Sequence, residues 1–412
     1  MRYLFYAVDG LGLGHVTRLL ALARAVRRQC PAAEILLLTA SEASHVIYRE
    51  GFAALKVPSR AAASTGRLRH GSFVRLSQSV VWNAVTAFDP HCLIVDTFAA
   101  GALHELLPLL RWPLRKVFVF RAQRPERAND TFLQNTLRLY DLILVPHAPD
   151  TEEIPTPDGI PTVWTGPMLL RDREELLDRT TARAQLGLPL EGEIGLLTLG
   201  GGGEPETAVA RKQLNCAIEG AGSEMLWVEM EGPLLRPPAN ATSAKPAEVT
   251  STEVEQGSSV SATSPPLAQP QWRVLRDVYP AMPYLNAFDC AVASVGYNTT
   301  HELQAAGVPT VLWPFTRDVD DQQQRAQNLA QAGRALCVGE GAGMDNQAGV
   351  TADNERVIEL TAAIRDLMQP ATRERLRQAM AAAMPRTDAE TGQAWRNGAD
   401  IGAEAILKLL GA

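Results

Sequence analysis

The stretch VDGLGLGHVTR, residues 8–18, sets Gly10, Gly12 and Gly14 at alternate positions and puts His15 directly after the last of them. An apolar run precedes this turn and a helical pattern follows it. Glycine at such a junction lets the backbone adopt positive φ or approach a ligand closely. A helix N-terminus disfavours a nearby positive charge, and a neutral imidazole can accept a proton, which is what a general base must do. The same histidine is equally well placed as a capping or packing residue, and the loop alone does not separate the two. The spacing is not a dinucleotide fingerprint, because G-x-G-x-x-G would need glycine at 15, where His15 stands. Further along, LIVDTF puts Asp96 immediately after an apolar run. A carboxylate there can orient His15 by accepting its second N–H, or it can cap the following helix; both stay open.

The second half carries a different chemistry. LGGGGE, Leu199–Glu204, offers successive backbone N–H groups with no side chains in the way, a place for a phosphate. SVGYNTTHEL, residues 294–303, takes an apolar run through Gly296 into a helix beginning around Asn298 to Thr300, whose free N–H groups form a second anion site. Thr299 and Glu302 also fit the S/T-x-x-E capping box, and for Glu302 on its own the capping reading is the stronger. DDQQQRAQNL, from Asp320, places polar side chains just past another apolar run. It suits a polyhydroxylated ligand or a solvated helix start.

The elements that must hold these residues follow from hydrophobic patterning. YLFYAV, EILLLTA, HCLIVDTF, KVFVF, DLILVP and TVWTG alternate with helical stretches through the first 165 residues. In the first helix Val16, Leu19, Leu20, Ala23 and Val26 share a face. Near-continuous apolar strands alternating with helices predict a parallel sheet covered on both sides. The pattern restarts with EIGLLTLGGGGE, a helix over 208–221, and then EMLWVEM, WRVLRD, DCAVASVG and TVLWPF. Two α/β domains result, residues 1–165 and 166–390, joined near Gly166-Pro167, which agrees with a length of 412 residues. Residues 234–271 are rich in Pro, Ser, Thr and Ala and predict a disordered insertion without chemistry. In open sheets of this kind ligands bind beyond the carboxyl ends of the strands, where every motif above lies.

An apolar fraction of 46% and a charged fraction of 21% are those of a globular protein. No run is apolar enough for a membrane span, and the first residues do not read as a signal peptide. Five scattered cysteines with no C-x-x-C pair fit a reducing, cytoplasmic setting and argue against structural zinc. The net charge is −7, yet residues 1–127 hold 17 Lys and Arg against 8 Asp and Glu, so that segment is +9 and the remainder −16. Without interleaved aromatics this excludes nucleic acid. It leaves an anionic substrate, a solvated face, or peripheral contact with an anionic membrane through Arg111, Arg115, Lys116, Arg121, Arg124 and Arg127.

Together GLGLGHVTR, TLGGGGE and SVGYNTTHELQAAGVPTVLWPFTRDVDDQQQRAQNLAQAGRA resemble the GT-B glycosyltransferases, in particular family 28. That family includes the N-acetylglucosaminyltransferase of the peptidoglycan lipid intermediate. Gly296, Glu302, Gly307, Pro309, Pro314 and the D-Q-x-x-R-A run at Asp321–Ala326 fall in the family's order. The resemblance implies two Rossmann-like doubly wound domains facing across a cleft, with a C-terminal helix (391–412) returning to the first. It implies an inverting transfer from a nucleotide-diphosphate sugar, UDP-type by expectation, to an acceptor hydroxyl. The acceptor is open: a small molecule, a glycan or a lipid-linked sugar. His15 takes the place of the base, with Asp96 as its partner in some relatives. Gly14 belongs to the same loop. Gly201, Gly202 and Gly203, with Gly296, Tyr297, Asn298, Thr299 and Thr300, would cradle the diphosphate. Glu302 would hold the ribose, Val278 would mark the stretch meeting the base, and Asp321 with Gln322 would bind the donor sugar. GGGGE lacks the usual serine of a Gly-Gly-Ser loop, so one hydroxyl contact to phosphate is missing. No cofactor is called for and no metal: the nearest acidic run, Asp318, Asp320 and Asp321, reads as sugar-binding or surface. A nucleotide-sugar hydrolase of the same fold and a non-catalytic sugar-nucleotide binder are the alternatives.

Overall fold

A computed structural model describes residues 1–8, 12–149, 154–202, 207–234, 270–317, 319–339, 350–384 and 395–411. Gly10, Gly203, Glu204 and Asp318, the bulk of the 234–271 stretch and the 390/391 boundary lie outside the described residues. Leu234 and Gln271, taken above as insertion ends, belong to the fold: Leu234 N–H donates to the Gly201 carbonyl at 3.0 Å, and Gln271 opens a strand.

The first sheet has seven strands: β1 (Arg2–Ala7), β2 (Glu34–Thr39), β3 (Ala53–Lys56), β4 (Cys92–Asp96), β5 (Arg115–Val119), β6 (Leu142–Val145) and β7 (Thr162–Trp164). Their order is β3-β2-β1-β4-β5-β6-β7, all parallel. Both faces are covered, which is why the strands read as apolar runs: Tyr3, Phe5 and Ala7 of β1 join one core cluster, and Leu4 and Tyr6 join the other. The second sheet holds β8 (Ile194–Thr198), β9 (Leu226–Met230), β10 (Gln271–Leu275), β11 (Cys290–Ser294), β12 (Thr310–Trp313) and β13 (Leu336–Cys337) in the order β10-β9-β8-β11-β12-β13, also parallel. Each order reverses once, between β1 and β4 and between β8 and β11. A reversal leaves a crevice at the strands' carboxyl ends, because the connecting helices depart to opposite faces.

Four helices matter for the site: α1 (Gly14–Gln29), α2 (Tyr297–Ala306), α3 (Gln322–Gln331) and α4 (Gly398–Leu410). Helix α1 is buried beyond the one face that its periodicity shows, from His15 through Ala23. The additional cover is α4, whose Ala399, Ala403, Ile406 and Leu407 join the α1 core cluster. A Cβ on Gly402 would already lie 3.0 Å from Leu22 Cδ1, so the two helices pack backbone to side chain. Asn397 caps α4 by accepting from the Ala399 N–H at 3.0 Å. It also pairs with both backbone groups of Leu169, accepting at 3.0 Å and donating at 2.8 Å. Among the described residues no helix is long and apolar enough to cross a membrane.

Candidate active site

His15 stands in the first turn of α1, after β1, and Asp96 is the last residue of β4. These strands are hydrogen-bonded neighbours at the reversal of the first sheet. The sheet therefore brings them together: His15 Nδ1 lies 2.6 Å from Asp96 Oδ2. The carboxylate is 0% exposed. It does not cap a helix. Arg18, one turn beyond His15, donates Nε to Oδ1 at 3.0 Å and Nη2 to Oδ2 at 2.5 Å. Burial pushes the Asp96 carboxyl up, but Arg18 and then His15 outweigh it and hold it at about 2. An ionised carboxylate holding Nδ1–H leaves Nε2 as the imidazole's basic nitrogen. The ring stacks on Phe98, centroids 5.7 Å apart, and lines a cleft of about 400 Å³ between the two sheets.

The facing wall comes from the reversal of the second sheet. Gly200 and Gly202, after β8, both take positive φ (75° and 77°), and Gly200 and Gly201 line the cleft. Gly232, after β9, must also be glycine, because a Cβ there would collide with the Gly200 and Gly201 backbone. After β11, Gly296 is the N-cap of α2 and provides no side-chain cap. The capping box is thus a correction. The helix starts at Tyr297, so Thr299 is inside the first turn and cannot cap it, and the first N–H groups are left facing the cleft. Gly14, Gly296, Tyr297, Asn298, Thr299 and Glu302 all line it. Asn298 Nδ2 donates across the cleft to the Gly14 carbonyl at 3.2 Å, while its buried Oδ1 has no partner among the described residues. Tyr297 directs its hydroxyl away from the cleft, donating to the Pro146 carbonyl at 2.5 Å and accepting from the Met168 N–H at 3.1 Å. Burial pushes the Glu302 carboxyl up to about 7, against the opposing pull of Arg171. Val278 lies at the same end, beside Tyr279, whose hydroxyl is 2.9 Å from Thr17 Oγ1 of the first domain.

Asp96 is fully buried and does not line the cleft itself, and three more of the expected residues lie off this surface. Gly202 follows the lining part of its loop. Thr300 is buried behind α2, its N–H bonded to the Gly296 carbonyl at 3.0 Å. Asp321 is the N-cap of α3, accepting from the Gln324 N–H at 3.0 Å. Its neighbour Asp320 lines the cleft instead. It is bonded to Arg121, at the end of β5, and to Arg325 Nη2 at 2.6 Å. Burial raises the Asp320 carboxyl, but the two guanidiniums hold it far below the usual carboxylate range. Gln322 also lines the cleft, and its Oε1 accepts from the Phe315 N–H at 2.9 Å. Of the arginines read above as a membrane contact, Arg121 is buried and does not belong to a surface patch, while the half-buried Arg124 donates Nε to the Arg317 carbonyl at 2.8 Å. Arg18 carried no separate reading in the sequence; Arg121 was read only as a candidate membrane contact, and Asp320 only as part of an acidic run that reads as sugar-binding or surface. The available signals were the three-residue step from His15 to Arg18 and a charged residue ending the apolar run VFVF.

Two doubly wound parallel sheets that meet at their carboxyl ends across one cleft make this a GT-B fold, the fold of the glycosyltransferases it resembles among solved structures. The spinosyn rhamnosyltransferase SpnG complexed with thymidine diphosphate is 17% identical with a TM-score of 0.57, covering 100% of both chains. Phytolacca americana UGT2 complexed with UDP-2fluoro-glucose and pterostilbene is 16% identical with a TM-score of 0.61, covering 99% of each chain. Acinetobacter baumannii MurG is 15% identical with a TM-score of 0.56, again over 99% of each. No protein-family model matches the chain, and no curated protein matches it.

Proposed function

We propose that the protein is an inverting, metal-independent glycosyltransferase of the family 28 type, moving a sugar from a UDP-type donor to an acceptor hydroxyl. The observation that carries this is the His15–Asp96 pair, 2.6 Å apart, opposite the uncapped start of α2. His15 Nε2 takes the proton of the acceptor hydroxyl, whose oxygen attacks the anomeric carbon as its bond to the diphosphate breaks. The configuration inverts because nucleophile and leaving group occupy opposite walls. Asp96 stabilises the imidazolium and keeps Nε2 pointed into the cleft. The leaving diphosphate takes up the bonding electrons, and the first N–H groups of α2 with the Gly200–Gly201 backbone meet its charge. Glu302 accepts from the ribose hydroxyls, Val278 marks the base, and Gln322 with Asp320 faces the donor sugar.

The SpnG complex with thymidine diphosphate and the UGT2 complex with a UDP-sugar analogue support a nucleotide-sugar donor, and the aglycones bound by both proteins support a small-molecule acceptor. The test is to incubate the protein with UDP-, TDP- and GDP-sugars, with and without alcohol acceptors, and to measure nucleoside diphosphate and free sugar. Acceptor-dependent release of the diphosphate, with the glycoside formed, is expected. Rapid stoichiometric release of free sugar without acceptor would make the protein a hydrolase.

A further inference from the structure

We propose that Arg18 is the positioning residue of the His15–Asp96 pair: it fixes the carboxylate that orients the imidazole. The inference rests on the reading of His15 as base. His15 and Arg18 are three residues apart on α1 and so share a face. Both reach the same carboxylate, and Asp96 Oδ2 accepts from His15 Nδ1 and from Arg18 Nη2 at once, at 2.6 and 2.5 Å. Arg18 is 1% exposed, so its charge is not screened by water.

Two further contacts distinguish this guanidinium from one that merely fills space. Nη2 lies 3.4 Å from Thr97 Oγ1. Thr97 has φ of 65°, a strained conformation for a β-branched residue. Around it the Phe98 N–H donates back to the Asp96 carbonyl at 2.7 Å, so that the end of β4 turns sharply and Phe98 stacks on His15. Arg18 thus braces the turn that holds the imidazole from two sides. Its Cζ also lies 4.9 Å from the centroid of Tyr297, the first residue of α2 in the second domain. The orientation of the pair is therefore tied to the approach of the domain that carries the donor wall.

Charge gives the second half of the argument. A carboxylate bonded only to histidine stabilises the imidazolium with its full charge. Here a guanidinium bonds both oxygens as well, so the carboxylate stays ionised and is held in place against Nδ1. Among the described residues the other charged or titratable groups around the pair are Arg121 just past β5, Asp320 and Arg325 from the second domain, and Tyr297 with His147 and His301 behind it. Asp320 is bonded to both Arg121 and Arg325, which leaves Arg18 as the cation bonded to Asp96.

The experiment follows the His15 ring by NMR in full-length protein labelled at histidine, assigned with His15→Gln, in wild type and in Arg18→Met, Arg18→Gln and Arg18→Lys. Arg18→Gln, which keeps a donor to Asp96, serves if Arg18→Met does not fold. The ring nitrogen shifts are expected to show one fixed Nδ1–H tautomer in wild type and a mixture of tautomers in Arg18→Met and Arg18→Gln, where the carboxylate is no longer braced. Arg18→Lys should lower kcat about tenfold or more at unchanged donor KM, because the fork geometry is lost. A folded Arg18→Gln whose His15 keeps the wild-type tautomer overturns the proposal. A wild-type protein that turns over no nucleotide sugar overturns the proposed function instead, and the NMR tautomer still decides the role of Arg18.

Discussion

Replacing His15 with alanine should lower kcat by about 10²–10⁴-fold and leave nucleotide affinity near wild type, since the imidazole stands on the wall opposite α2. Normal turnover by the variant would remove the base assignment. Asp96→Asn should reproduce part of that loss, because the amide has no charge to stabilise the imidazolium and replaces one of the two acceptor oxygens with an N–H₂ donor. Glu302 gives a pH signature. Its carboxyl is raised to about 7, so between about 4.5 and 7 the folded protein holds a proton that the unfolded chain has lost, and this group's contribution to stability falls as pH rises through that window. Ribose hydroxyls donate more strongly to the ionised form. Donor affinity should therefore rise as pH increases to about 7 and then level, measured by calorimetry with an intact nucleotide sugar, while Glu302→Gln should bind weakly and flatly. A wild-type curve independent of pH would remove the ribose assignment. At this scale the sequence was partly legible: His15, Asp96, Gly296 and Glu302 are conspicuous where they end strands or open helices. Asp320 was not, because two adjacent aspartates compete for the cap of α3 and only backbone geometry decides that Asp321 takes it.

Helix α2 begins at Tyr297 behind a glycine N-cap, so its first turn is held by neighbours and not by its own side chains. Thr299→Ala should then change unfolding free energy by no more than about 0.5 kcal/mol, against the ~1 kcal/mol that loss of a true N-cap costs. Donor affinity should fall in the same variant. A large stability loss with affinity intact would restore the cap reading. Gly232→Ala should act in the opposite domain of effect, disturbing the Gly200–Gly201 backbone and weakening diphosphate binding. The sheets themselves were legible, since β1, β4, β6, β8 and β11 are short apolar runs with turn signals at both ends. Their neighbours in the sheet were not written in those runs. The reversals between β1 and β4 and between β8 and β11 arise from where the crossover helices pack, and those reversals are what set His15 against Asp96 and Gly201 near Gly296.

The two domains are joined across the cleft by Arg121–Asp320, Thr17–Tyr279 and Asn298–Gly14, and away from it by the Tyr297 hydroxyl on the Pro146 carbonyl. Asp320→Ala would leave two buried guanidiniums without their shared carboxylate. It should cost about 3–5 kcal/mol, the range for breaking a buried pair, and broaden or split the thermal transition. A single transition at the wild-type midpoint would show that the contact does not join the domains. Partners 199 residues apart, as Arg121 and Asp320 are, leave no trace in local pattern. Helix α4 has a consequence of a different kind. It completes the core of a domain whose last strand ends at Trp164, yet its first residue is Gly398. A ribosome adding roughly 5–20 residues each second reaches it on the order of tens of seconds later. Throughout that interval the nascent first domain shows water the apolar flank of α1 around Leu22, and its last piece arrives only when the second domain has already been made.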